Sequence, residues 1–360
     1  MSFVPPRRTS RAAGRVQIGE GKPSIANRFG DVLVYWEELL KFAIPVVVGF
    51  LSWLAFRNRP HPIDVSAHVK SVGGERTLVE GGRMYSRSLG QGSDLVMLPG
   101  FAGNSSTWEF ITPDLASDHH VHLVDLLGHG FSDKPTTAAF DGDFHAACLV
   151  EWLRVHEVQK PVVIASSAGC QAAVAMASAY PQHVRGLVLV DPFLIAGRGI
   201  RFVLAIAKLF PRVTSFVTRQ LYAQRWFVCF GQMLGRRDPW RVTAADVDRQ
   251  YLPYGTPGFF EALPAMLAGI DPSIYHNTVQ QVECPVLLVW GAADRTATLG
   301  QARWLGCQFQ HAETLILAEA GHLPQEEVPT DLVARLRPFL RSVEASVAPR
   351  PSATSQDDPG

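Results

Sequence analysis

PVVIASSAGCQAAVAMASAY, residues 161–180, reads as a buried strand that runs directly into a helix. Its first half is continuously apolar and β-branched, and its second half is rich in alanine. Between them, Ala165-Ser166-Ser167-Ala168-Gly169 leaves room only for a very tight turn. Side chains two before and two after Ser167 would collide with neighbouring backbone in such a turn, and Ala165 and Gly169 are small. The turn lifts Ser167 above the sheet edge. The positive end of the following helix points at it, which favours developing negative charge there.

Working outward, short apolar runs alternate with amphipathic helical stretches. Strands are predicted at 121–126, 161–166, 186–190, 285–289 and 314–317, and helices at 143–156, 168–180, 299–309 and 330–343. Continuous apolar strands separated by helices indicate a parallel sheet covered on both faces. Residues 76–98 instead hold two strand-like runs split by Gly81-Gly82, a hairpin signal, and then the run LVML. The sheet is therefore predicted to be mixed, antiparallel at its start. The alternation is interrupted over residues 193–281, which show helical patterns (200–210, 213–234, 259–268) and no convincing strand. A structureless loop of that length is improbable, so an inserted helical layer is expected.

The turn around Ser167 resembles the nucleophile elbow of the α/β-hydrolase superfamily, whose pattern is G-x-S-x-G, with Ala165 in place of the first glycine. The resemblance implies an α/β-hydrolase fold: a mostly parallel, mixed, eight-stranded sheet with helices on both faces and an inserted helical lid. Two further motifs extend it. VMLPGFAGN (96–104) is similar to the family segment that supplies one oxyanion donor, which implies the backbone N–H of Phe101, with that of Ala168 as the second. VDLLGHGFSDKP (124–135) resembles the family's D-x-x-G-x-G-x-S-D-x-P loop, whose role is structural; His129 is not expected to be catalytic.

The base is expected at His322, in LILAEAGHLPQEE after a late strand, where a loop brings an imidazole over the carboxyl edge of the sheet. The family's catalytic histidine occupies this context. The acid implied by the resemblance is Asp294, in GAADRT after the strand PVLLVW; Asp191, ending GLVLVDP, is the alternative acid. The order Ser167, Asp294, His322 matches the family's. Together the motifs cover about residues 76–343. The implied chemistry is acyl transfer through an acyl-enzyme, with no cofactor and no metal. Carbon–carbon bond hydrolysis and cofactor-free haloperoxidation use the same constellation. Epoxide hydrolases and haloalkane dehalogenases carry Asp where Ser167 stands. A non-catalytic membrane-bound binding protein of the same fold is the rival of another class.

Composition limits the rest. Of 360 residues, 47% are hydrophobic and 18% charged, enough apolar material for a large core, and 33 basic residues balance 33 acidic ones. No global field favours nucleic acid. Five scattered cysteines without a C-x-x-C pair argue against a disulfide scaffold or zinc cluster and read as buried free thiols. Among the twelve histidines, His119, His120 and His122 crowd one strand start; no carboxylate pattern accompanies them, and a solvated strand end is expected.

Residues 1–30 read as a disordered basic arm, 58–75 as a linker and 344–360 as a disordered polar tail. The core is expected at 76–192 and 282–343, with the lid at 193–281. Within 31–57, FAIPVVVGFLSWLAF (42–56) is uncharged. It is shorter than the roughly 20 apolar residues of a spanning helix. A spanning anchor, an interfacial helix and a helix packed on the domain are all compatible with it, and its flanking charges leave orientation open. The lid carries Arg198, Arg201, Lys208, Arg212, Arg219 and Arg225 beside aromatic residues. These could rest on anionic headgroups or be an ordinary solvated face. The expected partners are a hydrophobic small-molecule or lipid substrate and a membrane held by the N-terminal segment. The oligomeric state is left open.

Overall fold

Strand residues alternate between two cores, which is why the central strands are apolar without interruption. On β5 (Val162–Ser166), Val163 and Ala165 join one apolar cluster while Val162 and Ile164 join the other. On β6 (Gly186–Val190), Leu187 and Leu189 face the first cluster and Val188 and Val190 the second. Period-two side chains on a sheet covered on both faces produce this pattern.

In the computed structural model, residues 60–194, 209–270 and 278–345 are described, with Gly49 and Ala205 as isolated positions. The expected arm at 1–30, the segment 31–57 apart from Gly49, and most of the expected helix 200–210 lie outside the described residues. The sheet has eight strands in the order β1-β2-β4-β3-β5-β6-β7-β8. The remaining strands are β1 (Glu75–Val79), β2 (Gly82–Leu89), β3 (Ser93–Leu98), β4 (His119–Val124), β7 (Val286–Gly291) and β8 (Ala312–Leu317). β2 runs antiparallel to β1 and β4, and every other pairing is parallel. This is the mixed sheet expected, with a hairpin at its start.

The described α-helices are α1 (Val65–Ser71), α2 (Thr112–Leu115), α3 (Gly142–Val155), α4 (Gly169–Ala179), α5 (Pro211–Tyr222), α6 (Arg225–Gly235), α7 (Ala244–Tyr251), α8 (Phe259–Gly269), α9 (Leu299–Gly306), α10 (Pro324–Glu327) and α11 (Pro329–Ala345). α3 and α4 pack on one face of the sheet with Trp152 fully buried, and α11 packs on the other through Leu332, Leu336 and Leu340. Helices α5 to α8 lie between β6 and β7 in the chain. Their own core is Val228, Val247, Tyr254, Phe259 and Leu263, joined by Ala102 from the loop after β3.

Several expectations need correction. The segment read as a linker, 58–75, contains α1, started by the Asp64 side chain accepting from Ala67 N and anchored by Val69 against Tyr85 and Phe131. The tail does not begin at 344, because α11 continues through Glu344 to Ala345. Of the five thiols, all free, only Cys148 and Cys170 are buried, and Cys307 is exposed. His119 and His122 are buried rather than solvated. Among the described residues no helix is long and apolar enough to cross a membrane. The segment proposed for that purpose lies outside them.

Candidate active site

Ser167 sits in the left-handed region at φ 51°, a strained position for a side chain other than glycine. Its N–H donates to Val190 O at 2.9 Å, and its carbonyl accepts from Phe193 N at 3.1 Å and Cys170 N at 3.2 Å. These bonds hold the turn from both flanks. Gly169 is required by a close approach: a Cβ there would lie 2.2 Å from Pro99 O. Ala165 is fully buried in the apolar cluster under α4, so the methyl group that replaces the family's glycine hydrogen is accommodated as core.

His322 follows β8 and reaches Ser167 from across the sheet edge. Its Nε2 lies 2.9 Å from Ser167 Oγ, and its Nδ1 lies 2.7 Å from Asp294 Oδ2. With the proton on Nδ1, where the buried carboxylate accepts it, Nε2 is left as an acceptor for the serine hydroxyl. Asp294 ends the turn after β7. Burial works against its ionisation, but hydrogen bonds from His322 and Thr296 outweigh it and hold the carboxyl below its ordinary range. The three residues expected from the sequence are thus brought together in hydrogen-bond contact.

Asp191 lies directly behind them. Its Oδ1 accepts from Gly291 N at 3.0 Å, and its carboxyl lies within 4.8 Å of those of Asp294 and the ring of His322. Burial and the neighbouring Asp294 charge push it well above the usual carboxylate range, despite the Gly291 bond. Of the two acids weighed, Asp294 holds the imidazole.

Two contributors were not foreseen. Thr296 Oγ1 donates to Asp294 Oδ1 at 2.8 Å, its N–H donates there at 2.6 Å, and its Oγ1 lies 2.9 Å from His322 Nδ1. The signal was Asp-x-Thr, an Asx-turn spacing. Glu327 accepts from Gly321 N (3.0 Å) and Leu323 N (3.2 Å) on either side of His322, and from Arg237 N (2.8 Å) beyond α6. One carboxylate therefore fastens the histidine loop to the helical layer. His322 N also donates to Gly235 O at 2.6 Å. No local pattern marks the Arg237–Glu327 contact, because its partners are 90 residues apart.

The two expected oxyanion donors flank Ser167. Ala168 begins α4, and the Phe101 loop is pressed against the turn, where a Cβ on Gly100 would lie 3.1 Å from Ser167 Cβ. Among the described residues, neither Phe101 N nor Ala168 N donates a backbone hydrogen bond in a turn or loop. A cavity of about 230 Å³ opens over Ser167 and His322. Phe101 and Leu323 form apolar parts of its wall, and Asn104, Gln232, Arg249 and Gln250 form a polar side. The loop after β4 supports this arrangement. Asp125 accepts from Ser105 N (2.6 Å) and Phe131 N (2.9 Å), and Lys134 Nζ donates to Gly130 O (2.8 Å). His129 is buried, with Nδ1 3.2 Å from Leu127 O, away from the triad, in keeping with a structural role.

Comparisons with known proteins agree with this architecture. Residues 95–329 match the alpha/beta hydrolase fold family. The chain is 28% identical over 268 residues to a pimeloyl-[acyl-carrier protein] methyl ester esterase of Chromobacterium violaceum, covering 72% of this chain and 98% of that protein. It is 24% identical over 332 residues to Lipase 1 of Psychrobacter immobilis, covering 85% and 99%. Among solved structures, a thermophilic esterase from Thermogutta terrifontis superposes with a TM-score of 0.63 at 20% identity, over 75% of this chain and 98% of that one. The structural likeness carries the fold alone. With the family match spanning most of the body and the strand order in hand, the chain belongs to the alpha/beta hydrolase fold family.

Proposed function

We propose that the protein is a carboxylic ester hydrolase working through an acyl-enzyme on Ser167. The observation that carries this reading is the pair of contacts made by His322, 2.9 Å to Ser167 Oγ and 2.7 Å to Asp294, at the floor of a cavity. The esterase and lipase relatives support an ester as the bond cleaved. As Ser167 Oγ bonds to the carbonyl carbon, its proton passes to His322 Nε2. Phe101 N–H and Ala168 N–H then stabilise the oxyanion. Collapse of the tetrahedral centre breaks the bond to the alcohol, which leaves with the proton from His322. Water, deprotonated by the same nitrogen, attacks the ester on Ser167 and releases the acid. Asp294 keeps its charge throughout.

The finer proposal is a hydrophobic ester met at a lipid surface. Trp226, Phe230 and Leu234 recur at i, i+4 and i+8 along α6, and all three are exposed. Val213 and Phe216 on α5 and Trp240, 86% exposed, add to the same layer. An exposed apolar stripe of this size marks a surface with a partner. Of the basic residues thought to meet headgroups, Arg219 is paired with Glu261 and Arg225 with Asp248, Arg212 is exposed in the first turn of α5, and Arg198, Arg201 and Lys208 lie outside the described residues. The apolar stripe therefore supports the proposal better than the charges do. A second, open cavity of about 1010 Å³, bordered by Pro60, Ile63, Trp226 and Leu252, lies beside the catalytic one, and Arg249 lines both. It supports a substrate whose remote part extends past the reacting carbonyl. The N-terminal segment 42–56 remains the proposed membrane attachment.

Initial rates on p-nitrophenyl esters of graded chain length test the reaction. Turnover by the wild type, with a chain-length optimum, and its loss in Ser167→Ala of unchanged fold are expected. Equal rates for the two proteins would remove the assignment.

A further inference from the structure

The sheet edge opposite the candidate active site gathers a second set of reactive side chains. Asp94 stands at the start of β3 and pairs in register with His120 on β4, while Ser88 on β2 pairs with His122. All four belong to neighbouring strands. Asp94 Oδ1 lies 3.1 Å from His120 Nδ1 and 3.0 Å from His122 Nε2, and one ligand atom from each residue falls within 4.8 Å of the others. His119, which precedes His120 on β4, turns to the opposite face toward Asp118 and Glu344 and takes no part.

We infer that Asp94, His120 and His122 form a binding site for one divalent transition-metal ion of the zinc type. A tetrahedral zinc with bonds of about 2.0–2.1 Å holds its ligand atoms about 3.3 Å apart, close to the two separations from Asp94 to the histidines. Two imidazole nitrogens and one carboxylate oxygen suit Zn²⁺, Ni²⁺ or Cu²⁺ rather than the all-oxygen cations. The supporting partner is in place as well. Ser88 Oγ lies 2.8 Å from His122 Nδ1, which leaves Nε2 as the nitrogen turned to Asp94. The His122 ring is held between His120 (4.1 Å between centroids) and Trp152 (5.4 Å), and its side chain is 3% exposed, so its orientation is fixed before any ion arrives. His120 is 39% exposed on the outer side, where water completes the coordination. The ion joins β3 to β4 directly and β2 through Ser88. It would stabilise the start of the sheet rather than enter the hydrolysis.

Calorimetric titration of tag-free, chelator-stripped full chain with Zn²⁺, in parallel with thermal unfolding, tests the site. One Zn²⁺ per chain is expected, with a rise in Tm. Asp94→Asn and His120→Gln, both at partly exposed positions, should each weaken binding at least tenfold and abolish the Tm rise, while zinc-free ester hydrolysis stays at the wild-type rate. His322→Ala should bind Zn²⁺ as the wild type does. Absence of stoichiometric binding, binding untouched by both Asp94→Asn and His120→Gln, or binding lost in His322→Ala would overturn the inference.

Discussion

Asp191 and Asp294 end adjacent strands and share one buried corner under His322, yet their surroundings drive them apart. Asp294 receives hydrogen bonds from His322, Thr296 and Ala297 N and remains ionised. Asp191, with Gly291 N on one oxygen, is pushed well above the usual carboxylate range by burial and by the Asp294 charge beside it. The carboxylate that holds the imidazole is the one at 294, so the charge is required there. Asp294→Asn should lower kcat on the order of 10⁴-fold, because an amide cannot hold the imidazole in the tautomer needed. Asp191→Asn, neutral and of the same shape, should leave kcat within about tenfold. Steady-state kinetics of the pair check this, and the reverse order would move the acid to Asp191. Thr296→Val removes one hydrogen bond to a charged group, worth about 1.5 kcal/mol. A roughly tenfold fall in kcat with KM little changed is expected.

At the scale of elements, the nucleophile turn depends on how closely α4 approaches the loop after β3. Gly169→Ala would set a methyl carbon 2.2 Å from a backbone oxygen, and that oxygen can move only with the oxyanion loop. A loss of about 2–3 kcal/mol in urea unfolding is expected; wild-type stability would show that the loop yields freely. This turn, like β6 and α3, was readable because short-range demands decide it: small residues at a tight bend, a continuous apolar run, a helical stripe. The break between α5 and α6 was not readable. The periodicity of 213–234 continues through it, and no glycine or proline marks it. The helix ends because the Tyr251 hydroxyl, 28 residues away in sequence, donates to Ala223 O at 2.6 Å and Gln224 turns extended. The carboxylate beside the clustered histidines escaped notice for the same reason, since Asp94 reaches them only through strand pairing. In the helical layer, Trp226→Ser with Phe230→Ser should reduce co-sedimentation with anionic vesicles severalfold while leaving hydrolysis of a short soluble ester intact. Unchanged vesicle binding would contradict the lipid-facing role of α6.

Taken whole, the molecule has no net charge at pH 7, and particular buried groups add to its response to acid below that. Burial pushes His129 down to about 4 and His145 to about 3. Both values lie below the unfolded-state value of about 6.5, so the unfolded chain takes up protons first as pH falls. Stability is full above about pH 6.5 and declines toward pH 4, by up to about 1.4 kcal/mol per pH unit for each histidine. Urea midpoints across this window should fall for the wild type and fall less steeply for His145→Phe; equal slopes would remove His145 from the account. The whole fold serves to bring Ser167, after β5, within reach of His322, after β8. Peptide mapping after treatment with a fluorophosphonate probe tests that convergence most directly. A single adduct on Ser167, absent from His322→Ala, is the result the account predicts, and an unlabelled Ser167 in active wild-type enzyme would contradict it.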